Sequence, residues 1–483
     1  MNIPKEDDIN NGRSFIESRL RQNVVVDRFF KGRFESSEQD SPQASFVFQD
    51  YLEEVQDAAH NVYAPFKSRL DWEVARWAKL RGPGSTALSD LLCIQGVQQA
   101  LGLSYKNARE LNHIIDTGLP EVRPRFIRKE IIIADTPHIL YYRNVLTCIK
   151  ALFGAPEFAQ YLVFMPERHY TDETRSTRLY HDMHTGKWWW WTQEQVEERT
   201  PGATIIPIIL SSDKTLITQF GGKSAYPVYM AIGNLPKEIR RKPSWNAHIL
   251  FAYLPIASLD HVSNQASKKR MILNLFHACM HTVLKPLEAA GLDGFSISSG
   301  DGQKRRGHPI VAAYCCDYME QIVVVGCKMG ECPLGDIAAE DLGNPKAKCN
   351  TRDLNQVLKA LATYQSDPDH FISACRTAHI KPIPSPFWKN LPYCNIFHCI
   401  TPDILHQLYQ GLIKHLTEWI LAAYPHTELD ARCRRLPPNH QVRHFFKGIT
   451  PLSHLTGKEH KDIARILLGL IIDLPLPEGM III

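Results

Sequence analysis

Apolar residues recur at helical spacing from about residue 46 to residue 165, as in Leu70-Asp-Trp-Glu-Val-Ala-Arg-Trp-Ala78 and Val145-Leu-Thr-Cys-Ile-Lys-Ala-Leu-Phe153, with a break at Arg81-Gly-Pro-Gly-Ser85. This pattern predicts an α-helical preface. Beyond residue 200 the period changes. Ala203-Thr-Ile-Ile-Pro-Ile-Ile-Leu210 is a continuous apolar run rich in β-branched residues, the signature of a buried strand, and it is followed directly by Ser211-Ser212-Asp213. Pro227-Val-Tyr-Met-Ala-Ile-Gly233 and His248 to Leu254 read as two more strands, Ser267 to about Ala290 as a long amphipathic helix, and His308-Pro-Ile-Val-Ala-Ala-Tyr-Cys-Cys-Asp317 as a fourth strand. Three strands, a helix and a fourth strand predict an α/β protein with the front half of a ribonuclease H-like mixed sheet. In that arrangement the tips of the first and fourth strands lie side by side.

The same pattern predicts the organisation of the chain. Residues 1–45 are polar and read as a flexible arm, 46–200 as a mainly helical N-terminal region, and 201–326 as the first part of the ribonuclease H-like core. Residues 327–395, with their Gly, Cys and Pro and a helix near Leu354 to Tyr364, read as an insertion before the last helix of the core. Residues 396–483 then form the helical completion of the core and the C-terminal region. That last part opens at Thr401-Pro-Asp-Ile-Leu-His-Gln407, where Thr401 suits an N-cap, Pro402 the first helical position and Asp403 the positive end of the helix dipole.

Composition adds bounds rather than a function. The chain has 483 residues, 44% hydrophobic and 22% charged, which fits a globular protein of two or three domains. A formal net charge of +4 is too small to argue nucleic-acid binding by itself. The distribution matters more: Lys237 to Lys242, Lys268-Lys269-Arg270 and Lys304-Arg305-Arg306 all fall between the two strand-end acids. Arg240, Arg241, Lys268, Lys269, Arg305 and Arg306 are therefore the candidate contacts to a DNA backbone, against the ordinary reading of solvated charge runs. Twelve scattered cysteines and a start without an apolar core predict reduced thiols in an intracellular protein, and no apolar run reaches the roughly twenty residues that span a bilayer.

The candidate chemistry centres on Asp213 and Asp317, far apart in sequence and each closing an apolar strand. A pair of hard divalent ions needs two or three carboxylates, and these two fit, although an isolated strand-end Asp more often caps a turn. Asp301, in Gly300-Asp-Gly302, has a ready turn-forming role, and Glu320 stands three residues past the strand tip as a supporting residue. Trp188-Trp-Trp-Trp191 offers either a platform for unpaired bases or, more ordinarily, core packing. Cys327, Cys332, Cys349, Cys394, His398 and Cys399 would be the ligands of a structural Zn²⁺, with buried free thiols as the commoner outcome.

From about Phe46 to Pro477 the chain resembles the transposases of the Plavaka group, fungal DNA transposons related to the CACTA superfamily. The resemblance is carried by Gly186-Lys-Trp-Trp-Trp-Trp-Thr-Gln193, Thr204-Ile-Ile-Pro-Ile-Ile-Leu-Ser-Ser-Asp-Lys-Thr215, Tyr226-Pro-Val-Tyr-Met-Ala-Ile-Gly-Asn234, Asp301-Gly302 with Arg305 and His308-Pro309, Cys316-Asp-Tyr-Met-Glu-Gln321, Thr401-Pro-Asp-Ile-Leu-His-Gln407 and Leu455-Thr-Gly-Lys-Glu-His460. It implies a DDE-type nuclease core that uses Mg²⁺ or Mn²⁺ to cut DNA and join strands at transposon ends, acting on end and target DNA in the nucleus as a homo-oligomer. It also implies a third carboxylate on the helix after the insertion. Asp403 is the choice, with His406 one turn on, because Glu418 lies roughly 22 Å further along at about 1.5 Å per residue. The alternative is a decayed or truncated copy that keeps the fold as a DNA-binding or interaction protein; Cys332-Pro-Leu-Gly335, where similar proteins tend to carry Cys-Pro-x-Cys, points that way.

Overall fold

A computed structural model describes residues 24–29 and 60–474, apart from 81, 83, 120–123, 134, 219–221, 454 and 473. Its largest feature is a sheet of eight strands, β1 (Ile127–Ile133), β2 (Thr136–Tyr142), β3 (Thr204–Ser212), β4 (Pro227–Ile232), β5 (Ile249–Tyr253), β6 (Phe295–Ser298), β7 (Lys304–Cys316) and β8 (Ile400–Pro402). The order is β6-β7-β3-β4-β5-β2-β1, with β8 paired to the end of β7. The sheet is mixed: β6 and β7, β4 and β5, β5 and β2, and β2 and β1 run antiparallel, while β8 runs parallel to β7. Burial along β3 is nearly unbroken, which is why its sequence is a continuous apolar run rather than an alternating one.

The chain forms two compact units. The first comprises residues 1–210, 216–312 and 387–394; the second comprises 211–215, 313–386 and 395–483. In the first, Tyr105, Leu111, Leu88, Leu92 and Ala75 form one core, and Trp189, Val196, Ile205 and Ile310 another. In the second, Leu429, Cys433, Leu467 and Leu470 centre a helical core that includes Ile463, so the helix Gly457–Ile471 packs one face into that core. Among the described residues no helix is long and apolar enough to cross a membrane.

Four local expectations need correction. The stretch 46–200 is not only helical: Ile127–Ile133 and Thr136–Tyr142 form a hairpin paired over seven positions, joined at a turn where Asp135 takes φ 57°. Its β-branched and aromatic residues favour a pleated, half-buried surface over a helix. Within the stretch expected to be a flexible arm, Val25–Arg28 is a strand paired with Glu167–Tyr170; the rest of residues 1–45, bar Val24 and Phe29, lies outside the described residues. The long helix is two, Gln265–Leu284 and Pro286–Asp293, divided where Pro286 lacks the N–H that would continue the first. Thr401 and Pro402 do not start the last helix, because both pair with β7 as strand; Pro402 is tolerated at that edge, and the N-cap falls to Asp403.

Candidate active site

Asp213 follows the last residue of β3, Asp317 follows the last residue of β7, and Asp403 follows the last residue of β8. The register of the last two strands is explicit: Tyr314 pairs with Ile400, Cys315 with Thr401 and Cys316 with Pro402. Asp317 and Asp403 are thus the next corresponding positions on neighbouring strands, which run about 4.8 Å apart. Each also caps a helix. Asp317 Oδ1 accepts from the N–H of Glu320 at 2.7 Å, and Asp403 Oδ1 accepts from the N–H of His406 at 2.5 Å. Capping therefore takes one oxygen of each carboxylate and fixes its direction.

Asp213 is tied to this pair through its neighbour. The Ser212 hydroxyl donates to the buried carboxylate of Glu320 and lies 2.8 Å from the hydroxyl of Tyr314. Glu320 thus joins both strand ends, its side chain receiving Ser212 while its main-chain N–H holds Asp317. Sequence reasoning placed Glu320 beside the site without its partner, and missed Ser212 and Tyr314. The available signal was a hydroxyl at the inward position of a strand end, directly before the candidate acid. Asp213 itself is exposed, and its Oδ2 accepts from the Thr215 hydroxyl at 3.3 Å.

The electrostatics record the gathering of charge. His406 Nδ1 is hydrogen-bonded to Asp403 Oδ2, and that bond raises its pKa above the ordinary 6.5; burial opposes, and the charges of Asp403, Asp317 and Asp213 each add to the rise. One imidazole therefore feels all three carboxylates. Cys316 is pushed far up, first by burial and then by Glu320, Asp317 and Asp403 among its neighbours. Glu418 is elsewhere: it is exposed and pairs with His415 and Lys414 on its own helix. Asp301 closes a turn, accepting from Ser299 Oγ and the Gln303 N–H.

A sequence model of Plavaka transposases matches residues 105–420 of this chain. The chain belongs to the Plavaka transposase family. No curated protein matches it. The matched span contains Asp213, Asp317 and Asp403, and membership suggests a transposase, hence an enzyme that binds DNA.

In this Plavaka chain most of the candidate DNA-contacting cations have internal partners. Arg240 bonds Asp182 and the Leu235 carbonyl, Lys268 pairs with Asp260, Arg306 donates twice to the Asp293 carbonyl, and Arg305 lies over the Phe164 ring while pairing with Asp301. Arg241 and Lys269 are exposed. The tryptophan run divides by position on its helix, Lys187–Arg199: Trp189 is fully buried in the core, whereas Trp190 and Trp191 line a cleft of about 300 Å³ with Arg168, Tyr170, Arg178, Tyr180 and Lys187. Arg168 stacks over Trp190 at 3.9 Å, and Trp191 is 56% exposed. Of the cysteines suggested as zinc ligands, Cys332 and Cys349 face Gly335, where an added Cβ would collide with the Cys349 sulfur and touch that of Cys332. Among the described residues, however, these thiols form no group of three ligands.

Proposed function

We propose that this chain is a DDE-type transposase that cleaves DNA and transfers strands at transposon ends, with Asp213, Asp317 and Asp403 as its carboxylate set on a ribonuclease H-like sheet. The observation that supports the reading is an aspartate one residue past the end of each of β3, β7 and β8, with Asp317 and Asp403 at the next corresponding positions of two paired strands. The sheet order, with β3 beside β7 and β8 running parallel to the end of β7, supports the fold assignment. Hard carboxylate oxygens with excess negative charge around them suit Mg²⁺ or Mn²⁺, and Asp213, Asp317 and Asp403 would hold such ions. When bound, a pair of these ions activates the attacking oxygen and stabilises the leaving one in an in-line phosphodiester displacement.

The chain's own residues supply the rest. The caps on Asp317 and Asp403 orient their carboxylates, and the Ser212 to Glu320 bond ties the end of β3, directly before Asp213, to the helix that Asp317 caps. His406 keeps a proton at Nδ1 against Asp403 and so offsets part of the negative charge while no cation is there. Arg241, Lys269 and the basic, aromatic cleft are the surfaces for DNA phosphates and unpaired bases. Nuclear location and a homo-oligomeric active form belong to the same reading. The test is Asp213→Asn: Mn²⁺-dependent nicking of transposon-end DNA should fall by more than about 100-fold, beyond what loss of an outer partner of a metal ligand costs, with DNA affinity retained. Equal nicking by the two proteins would leave the decayed-copy reading in its place.

A further inference from the structure

His169, His181 and His184 lie in the first unit, outside the carboxylate cluster. One ring nitrogen from each lies within 4.8 Å of the others, and this is the one such group of three ligating side chains among the described residues. The contacts around them are those of a prepared ligand set. His169 Nε2 is 2.8 Å from Glu167 Oε2, which fixes that nitrogen as the donor and leaves Nδ1 as the acceptor. That Nδ1 accepts a hydrogen bond from His181 Nε2 at 3.1 Å, which a shared ion would replace. Nitrogens bound to one tetrahedral ion at about 2.0–2.1 Å stand roughly 3.3 Å apart, so this pair already has the spacing, and His184 must close by at most about 1.5 Å.

The segment bearing the other two ligands is held from several sides. The N–H groups of His181 and Asp182 donate to Thr185 Oγ1, Lys237 Nζ donates to the His181 carbonyl, and Asp182 receives both Arg240 and the Lys237 N–H. A carboxylate behind a ligating histidine and a turn fixed before binding are the usual supports of a metal site.

We propose that His169 Nδ1, His181 Nε2 and a ring nitrogen of His184 bind one transition-metal dication, Zn²⁺ by the chemistry of the ligands. Imidazole selects Zn²⁺ over Mg²⁺, so this ion is distinct from those expected at the carboxylates. Three protein ligands leave a fourth position for water. The consequence is local and mechanical. Alternation along Glu167–Tyr170 turns Glu167 and His169 to one face of the strand and Arg168 and Tyr170 to the other, where they line the basic, aromatic cleft. The ion would fasten that strand to the turn just before the tryptophan helix, and so set the shape of the cleft.

The protein, stripped with a chelator and dialysed, should take up one Zn²⁺ per chain. His181→Ala should weaken binding by more than about 100-fold and Glu167→Gln by about 10–100-fold, while Asp213→Asn leaves the stoichiometry unchanged. Because an alanine variant can misfold, His181→Cys is the second arm: Co²⁺ loaded into it should gain a sulfur-to-cobalt charge-transfer band absent from the wild type. No stoichiometric Zn²⁺ in the wild type, undiminished Zn²⁺ in His181→Ala, or a Co²⁺ spectrum unchanged by the cysteine would each overturn the proposal.

Discussion

The strand-end carboxylates and the histidine cluster each offer three ligating side chains, but only the histidines bring theirs within 4.8 Å of one another among the described residues, and the two sets are assembled by different means. Asp213, Asp317 and Asp403 each stand one residue past a strand, and two of them cap the helix that follows. Their positions follow from secondary structure and register. His169, His181 and His184 come from a short strand and an irregular turn whose shape depends on Thr185, Asp182, Lys237 and Arg240. The electrostatics are also opposite. At the acids, partly exposed negative charge raises His406; at the histidines, burial together with the charges of His184 and His169 pushes His181 down to about 4. One region attracts cations by its field, and the other keeps neutral imidazoles ready. A hard ion and a borderline one are therefore suited to different parts of the same chain.

If the acid cluster depends on main-chain placement, the bond that ties the strand ends together should matter most after the acids themselves. Ser212→Ala leaves Glu320 and Tyr314 one buried partner short, at a cost of about 1–3 kcal/mol in stability, and frees Asp213 to drift. Nicking should fall by about 10–100-fold with DNA affinity unchanged, measured side by side with thermal unfolding. A fully active Ser212→Ala protein would show that Asp213 needs no such support.

The region of the histidines can be probed through its cleft. Trp191→Ala should weaken binding of single-stranded oligonucleotides by about 1–3 kcal/mol, the cost of one lost base stack, and Arg178→Ala should lower the slope of log affinity against log salt by roughly 1. Both are read from fluorescence titrations at several salt concentrations. Unchanged affinity and slope would assign Trp190 and Trp191 to packing alone.

The two regions also differ in what could be read from sequence. The apolar runs before Asp213 and Asp317 announce strands because a strand buried along its length must be apolar throughout, and the acid at the tip is then conspicuous. Asp403 was reached only through the family resemblance, and its local reading was imperfect: Pro402 looked like a helix start, whereas pairing with β7 makes it strand. The hairpin Ile127–Tyr142 was hidden because short apolar runs suit helix and strand alike, and the sheet edge that selects strand lies far away in sequence. The histidines carry no pattern that a reading of the sequence singles out. His181 and His184 are close in sequence, but the third ligand and Glu167 arrive from a strand more than ten residues earlier, which no local pattern announces. The partners of the basic clusters were equally hidden: Arg240, Arg305 and Arg306 look like a free charge surface in one dimension, yet each answers a carbonyl or carboxylate of its own fold.

The smallest expected effect concerns His406 in the ion-free protein. Its pKa is raised, chiefly by the hydrogen bond it donates to Asp403, so the folded chain holds this proton more tightly than the unfolded chain does. Below about pH 6.5 both states carry the proton and the His406–Asp403 pair contributes in full. As the pH climbs from there to the raised folded value the contribution shrinks, and above that value it is gone. The His406 side chain is 38% exposed, so solvent screens the pair to about 0.5 kcal/mol, a shift on the order of 1 °C in Tm. His406→Gln should therefore melt slightly earlier than the wild type at pH 6 and together with it at pH 9, in a chelating buffer. Added Mn²⁺ should abolish the difference by taking over the neutralisation of Asp403. A difference that persists at pH 9, or one that Mn²⁺ leaves untouched, would detach His406 from the charge of the carboxylate cluster.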